Sequence, residues 1–131
     1  MTIKETLGCA RRLLGTGGIE DASFEGELLL RQALGLNRAH LYSNLEDGID
    51  SEQESSFWDL VNRRLNGEPS AYIIGHREFY GLDFFINADV LIPRPETELL
   101  VEKALALAGN YKTPVIADIG SGSGAIAISL A

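Results

Sequence analysis

The stretch Val115-Ile116-Ala117-Asp118-Ile119-Gly120-Ser121-Gly122-Ser123-Gly124 reads as an apolar strand running into a glycine-rich turn. Ala125-Ile126-Ala127-Ile128 follows, with the small and branched apolar residues that pack a helix against a sheet. Strand, glycine turn and helix in that order open an α/β sheet, in which ligands meet the carboxyl ends of the strands. The glycines let a ligand approach the main chain closely, and N–H groups at a helix start suit a carboxylate or a phosphate. The expectation is a complete front module joined to the beginning of an α/β catalytic module.

Two cofactor classes fit this spacing. Gly120, Gly122 and Ala125 satisfy the relaxed dinucleotide pattern Gly-x-Gly-x-x-Ala, which leaves a nicotinamide or flavin enzyme open. Asp118-x-Gly120-x-Gly122-x-Gly124 instead resembles the first motif of class I methyltransferases that use S-adenosylmethionine. A phosphate-binding P-loop is excluded, because no lysine followed by serine or threonine comes after the glycines.

Toward the amino terminus the pattern is helical. Thr2 with Glu5 forms a capping-box pattern, and Ile3, Leu7, Ala10 and Leu14 then recur at helical spacing until Gly15, Gly17 and Gly18. This predicts a helix over 3–14. Asp21 or Ser23 can cap a second helix with Phe24, Leu28, Leu29 and Ala33 as one stripe, ended by Gly35. Asn37 can start a short third helix carrying Leu41, and Ser51 with Glu54 repeats the capping box before Phe57, Leu60, Val61 and Leu65. Four amphipathic helices within 1–68 imply a small bundle. A core of that size is marginal alone, so an accessory, partner-recognition domain suits it better than a free-standing enzyme.

Beyond Pro69 the grammar changes. Extended structure is expected from about residue 72, with Arg77-Glu78-Phe79-Tyr80 and Asp83-Phe84-Phe85-Ile86 as the arms of a hairpin about Gly81-Leu82. Residues 69–92 then form a hairpin connector, and 93–131 the start of the second domain. Within it, Pro95 suits the first turn of a helix over 96–108.

Gly75-His76-Arg77-Glu78-Phe79-Tyr80-Gly81 and Val90-Leu91-Ile92-Pro93-Arg94-Pro95-Glu96-Thr97-Glu98, taken with the glycine loop, closely resemble the HemK/PrmC family of protein-glutamine methyltransferases. The resemblance covers essentially the whole chain. It implies an α/β protein with a small helical bundle first, a β-hairpin connector next, and then the start of a Rossmann-like class I methyltransferase domain. It also implies transfer of a methyl group from S-adenosylmethionine to the side-chain amide of the Gly-Gly-Gln glutamine of class 1 peptide chain release factors.

Carried over by position, Gly120, Ser121, Gly122, Ser123 and Gly124 would line the cofactor, with Asp118 in support. The segment Pro93 to Glu98 is expected near the cofactor pocket without an individual contact assigned, and Arg94 is an equal candidate for an ion pair with Glu96 or Glu98. The family's Asn-Pro-Pro-Tyr motif, which holds the target glutamine, does not occur in these residues, so no catalytic residue is assigned. An amide nitrogen is a poor nucleophile because its lone pair is delocalised, and fixed acceptors must orient it. The chain is therefore expected to be inactive by itself and to bind S-adenosylmethionine weakly or not at all. The alternatives are a non-catalytic release-factor-binding module and a nicotinamide-dependent Rossmann enzyme.

Composition sets the remaining bounds. The 131 residues are 45% hydrophobic and 23% charged, as in an ordinary globular protein. Eleven basic against nineteen acidic residues give a net charge of −8, which argues against a nucleic-acid surface and permits a basic protein partner. With no apolar run near the roughly 20 residues of a membrane span and no secretory pattern after Met1, a cytoplasmic location is expected. Cys9 is expected in the core of the first helix, His40 and His76 share no ligand spacing, and no metal site is expected. Trp58 is expected to pack in the core or between domains.

Overall fold

A computed structural model describes every residue from Met1 to Ala131. The chain divides into two compact units, Met1–Ile74 and Gly75–Ala131.

The first unit is all helical: α1 (Ile3–Thr16), α2 (Ala22–Leu34), α3 (Arg38–Ser43), α4 (Ser51–Leu65) and α5 (Ser70–Ile74). The first amides of α1 all find acceptors, as helix ends require. Glu5 N–H donates to Thr2 Oγ1 and Glu5 Oε2 accepts from Thr2 N–H, completing the expected capping box. Ile3 N–H and Lys4 N–H donate to the carbonyls of Asp47 and Leu45, each at 3.0 Å. The start of α1 thereby pins the loop that leads to α4.

Leu14, Leu29, Leu30, Leu41, Phe57 and Val61 are fully buried and form the centre of the core, with Ile3, Ala10 and Ile73 beside them. Trp58 packs partly buried against this cluster, its ring 4.9 Å from that of Phe57. Gly26 lets α2 approach α1, since a Cβ there would lie 3.4 Å from the Cβ of Ala10. Arg64 on α4 grips Glu25 on α2 through Nε and Nη2, joining the two helices at the edge of the core.

Four expectations for this unit change. The buried stripe of α2 runs through Ala22, Gly26, Leu29 and Leu30, and Phe24 is exposed, because α1 and α4 cover a face rotated from the anticipated one. The cap of α4 is Asp50 with Gln53, one residue before Ser51; Asp50 Oδ1 accepts from Gln53 N–H at 2.8 Å. Residues Ser70–Ile74 are helical and not extended, since the Pro69 carbonyl accepts from Tyr72 and Ile73 while Ala71 and Ile73 are buried. Cys9 is only half-buried and accepts from Arg12 Nη2 at 3.2 Å, outside the core.

The second unit holds β1 (His76–Phe79) and β2 (Leu82–Phe85), a 3-10 turn at Pro95–Thr97, α6 (Glu98–Ala108) and α7 (Ala125–Leu130). The strands pair antiparallel with Phe79 opposite Leu82, so Tyr80-Gly81 forms the turn, one residue earlier than the spacing suggested. Both turn residues have positive φ, 51° and 73°, which gives a tight turn whose twist matches its strands. Phe79 and Phe84 share the buried face, their rings 6.3 Å apart, while His76 stacks on Phe85 at 4.4 Å on the other.

The strand expected over 115–119 is not formed. The only strands are β1 and β2, which pair with each other, so nothing supplies a parallel ladder to this segment. Val115 and Ile119 are 97% and 94% exposed as a result. The architecture is a helical bundle plus a unit with a two-stranded antiparallel sheet; no Rossmann-like sheet is among its elements.

Candidate functional site

The glycine loop keeps the local geometry that its residues demand. Gly120 and Gly122 have φ of 73° and 56°, a left-handed conformation in which other residues are strained, and a Cβ on either would meet nothing within 4 Å. Their requirement is conformational, and the space above them is open. The loop closes on itself through Gly124 N–H, which donates to the Ser121 carbonyl at 2.9 Å just before α7 begins.

A pocket of about 150 Å³ lies over this loop. Gly120, Ser121, Gly122 and Ser123 form one side, continued by Ala125 and Ile126 of α7. The opposing side comes from Leu91, Ile92, Pro93, Arg94 and Thr97, and Phe79 reaches it from β1. The segment between the hairpin and α6 and the glycine loop, about 25 residues apart in sequence, thus face one space. Gly124 shapes the loop without lining the pocket.

Asp118 lies elsewhere. It lines a separate hollow of about 290 Å³ with Leu105, Ala108, Ile116 and Ala127, and its Oδ2 is buried with no hydrogen-bond partner. A buried carboxylate oxygen without a donor is costly and marks a place where a donor would be accommodated.

Arg94 differs from one of its expectations. Its guanidinium is exposed and pairs with neither Glu96 nor Glu98. Glu98 is engaged instead by the backbone of the hairpin turn, accepting from Tyr80 N–H at 2.9 Å. Arg94 and Thr97 as individual pocket residues were not legible in the sequence. Their facing depends on a 3-10 turn at Pro95–Thr97, whose three-residue repeat differs from the α-helical one expected there.

Outside this pocket the polar groups make structural contacts. His76 Nδ1 lies 2.9 Å from Asp83 Oδ2 across the hairpin, and nowhere do three or more His, Cys, Asp or Glu side chains converge. No helix is long and apolar enough to cross a membrane.

Residues 5–75 match the family model of the PrmC N-terminal domain. The chain belongs to that family. The PrmC N-terminal domain match coincides closely with the helical unit Met1–Ile74. Similarity to curated proteins extends further, through the glycine loop. The release factor glutamine methyltransferase of Moorella thermoacetica is 44% identical over 131 residues, which is 100% of this chain and 46% of the relative. Those of Geobacter sulfurreducens and Bacillus anthracis are 45% and 43% identical, over 99% and 100% of this chain and 45% and 47% of their own. The chain spans about half the length of the curated relatives it matches.

Methyltransferases in general use S-adenosylmethionine, and the lining of the glycine-loop pocket bears on whether it fits. Open space over Gly120 and Gly122, three hydroxyls at Thr97, Ser121 and Ser123, and one cation at Arg94 suit a zwitterionic amino-acid group. The pocket is smaller than the roughly 300 Å³ at which ligand sites begin, so these residues fit one end of such a molecule.

Proposed function

We propose that this chain carries the partner-recognition domain and the cofactor loop of a cytoplasmic release-factor glutamine methyltransferase. The observation that carries the reading is the pocket that Gly120–Ser123 and Ile92–Arg94 form between them. S-adenosylmethionine supplies, when bound, an electrophilic methyl group on a sulfonium. The residues of this chain do the holding: the glycine main chain accommodates the ligand at close range, while Thr97, Ser121 and Ser123 offer hydroxyls. Asp118, whose partnerless Oδ2 lines the separate hollow, is left the role of supporting the loop and not of touching a ligand in this pocket.

The helical unit is the surface for the protein substrate, a class 1 release factor bearing Gly-Gly-Gln. Its support is the relatives' shared function together with a core already closed by residues 3–73. The net charge of −8 opposes nucleic acid as its ligand.

The test joins residues 1–131 to the remaining half of the Moorella thermoacetica relative and follows labelled methyl transfer to a release factor. Transfer to Gly-Gly-Gln and not to Gly-Gly-Ala is expected. A chimera that unfolds cooperatively and binds S-adenosylmethionine yet leaves the glutamine unlabelled would overturn the substrate assignment.

A second reading, a binding module without turnover, draws on the contrast between the units. The helical unit buries its large apolar residues, whereas Val115 and Ile119 in the second stand in solvent. Calorimetric titration of the chain against a release factor separates the two readings. Heat of binding without transfer by the chimera favours the module.

A further inference from the structure

Among the residues lining the glycine-loop pocket, Arg94 is the single ionisable side chain. Every other polar group there is a hydroxyl or main chain. The nearest acidic residues in sequence do not neutralise it: Glu98 is held by Tyr80 N–H, and no ion pair joins Arg94 to Glu96. In a chain of net charge −8, an unpaired guanidinium beside an open glycine loop is a local reversal of sign. A planar guanidinium matches the two oxygens of a carboxylate in a fork geometry that an ammonium cannot reproduce.

We infer that Arg94 binds the α-carboxylate of the ligand's amino-acid end and so fixes which end of S-adenosylmethionine enters this pocket. The inference rests on the proposed cofactor reading and deepens it. Such a ligand carries two positive centres, an ammonium and a sulfonium, and one negative carboxylate. Like-charge repulsion keeps the positive centres away from Arg94 and leaves the carboxylate as its only partner. Thr97, one 3-10 turn on, lines the same pocket and can donate its hydroxyl to the same carboxylate. Arg94 is here a binding residue that sets orientation, with no part in proton transfer.

The test is a nuclear magnetic resonance titration of the isotope-labelled chain at millimolar ligand, reading the amides of Gly120, Gly122 and Ser123 and the Arg94 Nε–H. The probes are S-adenosylmethionine, its decarboxylated analogue and ADP; the variants are Arg94→Met and Arg94→Lys. S-adenosylmethionine should bind about tenfold more tightly than the decarboxylated analogue, a difference worth one bidentate charged contact. Arg94→Met should abolish that preference while leaving affinity for the analogue unchanged, and Arg94→Lys should retain part of it. Because Arg94 is exposed, spectra away from the pocket should not move.

Equal affinity for both adenosyl ligands in the wild type, with the loop amides shifting, overturns the role of Arg94 and leaves the cofactor reading standing. Loop amides that ignore both adenosyl ligands in the chain and also in its chimera with the Moorella thermoacetica relative overturn the cofactor reading and this inference together. A response to ADP that exceeds the one to S-adenosylmethionine and needs Arg94 overturns both in favour of a nucleotide phosphate.

Discussion

The backbone N–H of Tyr80 donates to Glu98 Oε1 at 2.9 Å, so the tip of the hairpin is tied to the first residue of α6. Tyr80 is also the one non-glycine residue with positive φ, at 51°. A left-handed tyrosine is costly by about 1 kcal/mol, and a charged acceptor on its amide offsets that cost. Glu98→Ala should destabilise the second unit by about 1–2 kcal/mol and raise the hydrogen-exchange rate of the Tyr80 amide at least tenfold. Unchanged exchange in a folded variant would show that the bond contributes nothing.

Asp50, and not Ser51, should prove to be the cap of α4. Asp50→Ala removes the acceptor for Gln53 N–H and should lower stability by about 1 kcal/mol in urea denaturation. Ser51→Ala should change it by less than about 0.3 kcal/mol, since Ser51 is an exposed first-turn residue. The reverse ranking would return the cap to Ser51.

Glu27 is a buried carboxylate with one hydrogen bond and two ion pairs. Tyr42 Oη donates to it at 2.8 Å, Arg38 Nε lies at 3.2 Å and Arg31 Nη1 at 3.7 Å. Glu27→Ala should cost about 2 kcal/mol, below the usual figure for breaking a buried pair because both arginines reach solvent. A double-mutant cycle with Tyr42→Phe should give a coupling of about 1 kcal/mol. Additive single effects would mean that the Tyr42 hydroxyl does not couple to Glu27.

The same contact sets an alkaline limit. The hydrogen bond to Glu27, followed by burial, holds the Tyr42 phenol above its ordinary value of 10.0. Folding therefore favours the protonated phenol. Its contribution is fully present below pH 10.0 and is lost as the pH rises through the higher folded value. Urea midpoints measured from pH 9 upward should fall in the wild type more steeply than in Tyr42→Phe, which has no proton to lose. Parallel curves would remove Tyr42 as the origin.

Gly26 should tolerate one methyl group and no more. A Cβ there meets Ala10 Cβ at 3.4 Å, an ordinary contact, while alanine gains about 1 kcal/mol in helix propensity. Gly26→Ala should be neutral or stabilising by up to about 1 kcal/mol, whereas Gly26→Leu should push α1 from α2 and cost more than about 2 kcal/mol. Thermal unfolding of the two variants checks the pair. A destabilised alanine variant would mean that the helices cannot yield even that far.

Much of the helical unit was readable along the chain, and the misreadings have local causes. Thr2, Asn37 and Gly35 perform the capping roles that their chemistry suggests. Asp50 and Ser51 are both good caps in adjacent positions, and their order was decided by the loop arriving from Ile49, a residue bound to Met1. The candidate site divided in the same way. Gly120 to Ser123 line one pocket, whereas Asp118, two residues earlier, turned into a different hollow. Which way a side chain turns beside an unpaired segment depends on neighbours and not on spacing.

By itself the order of residues determined the local conformations: caps at polar residues, left-handed turns at glycines, helices where apolar residues recur each turn, a hairpin where aromatics flank a glycine. These follow from steric and hydrogen-bonding rules that act within a few residues. Tertiary structure alone decided which face of α2 is buried, that Val115–Ile119 forms no strand, and that Arg94 stays unpaired over the glycine loop. Burial and strand pairing need partners distant in sequence. A strand without a neighbour has no ladder, and an arginine whose nearby carboxylate turns to a hairpin amide stays unpaired.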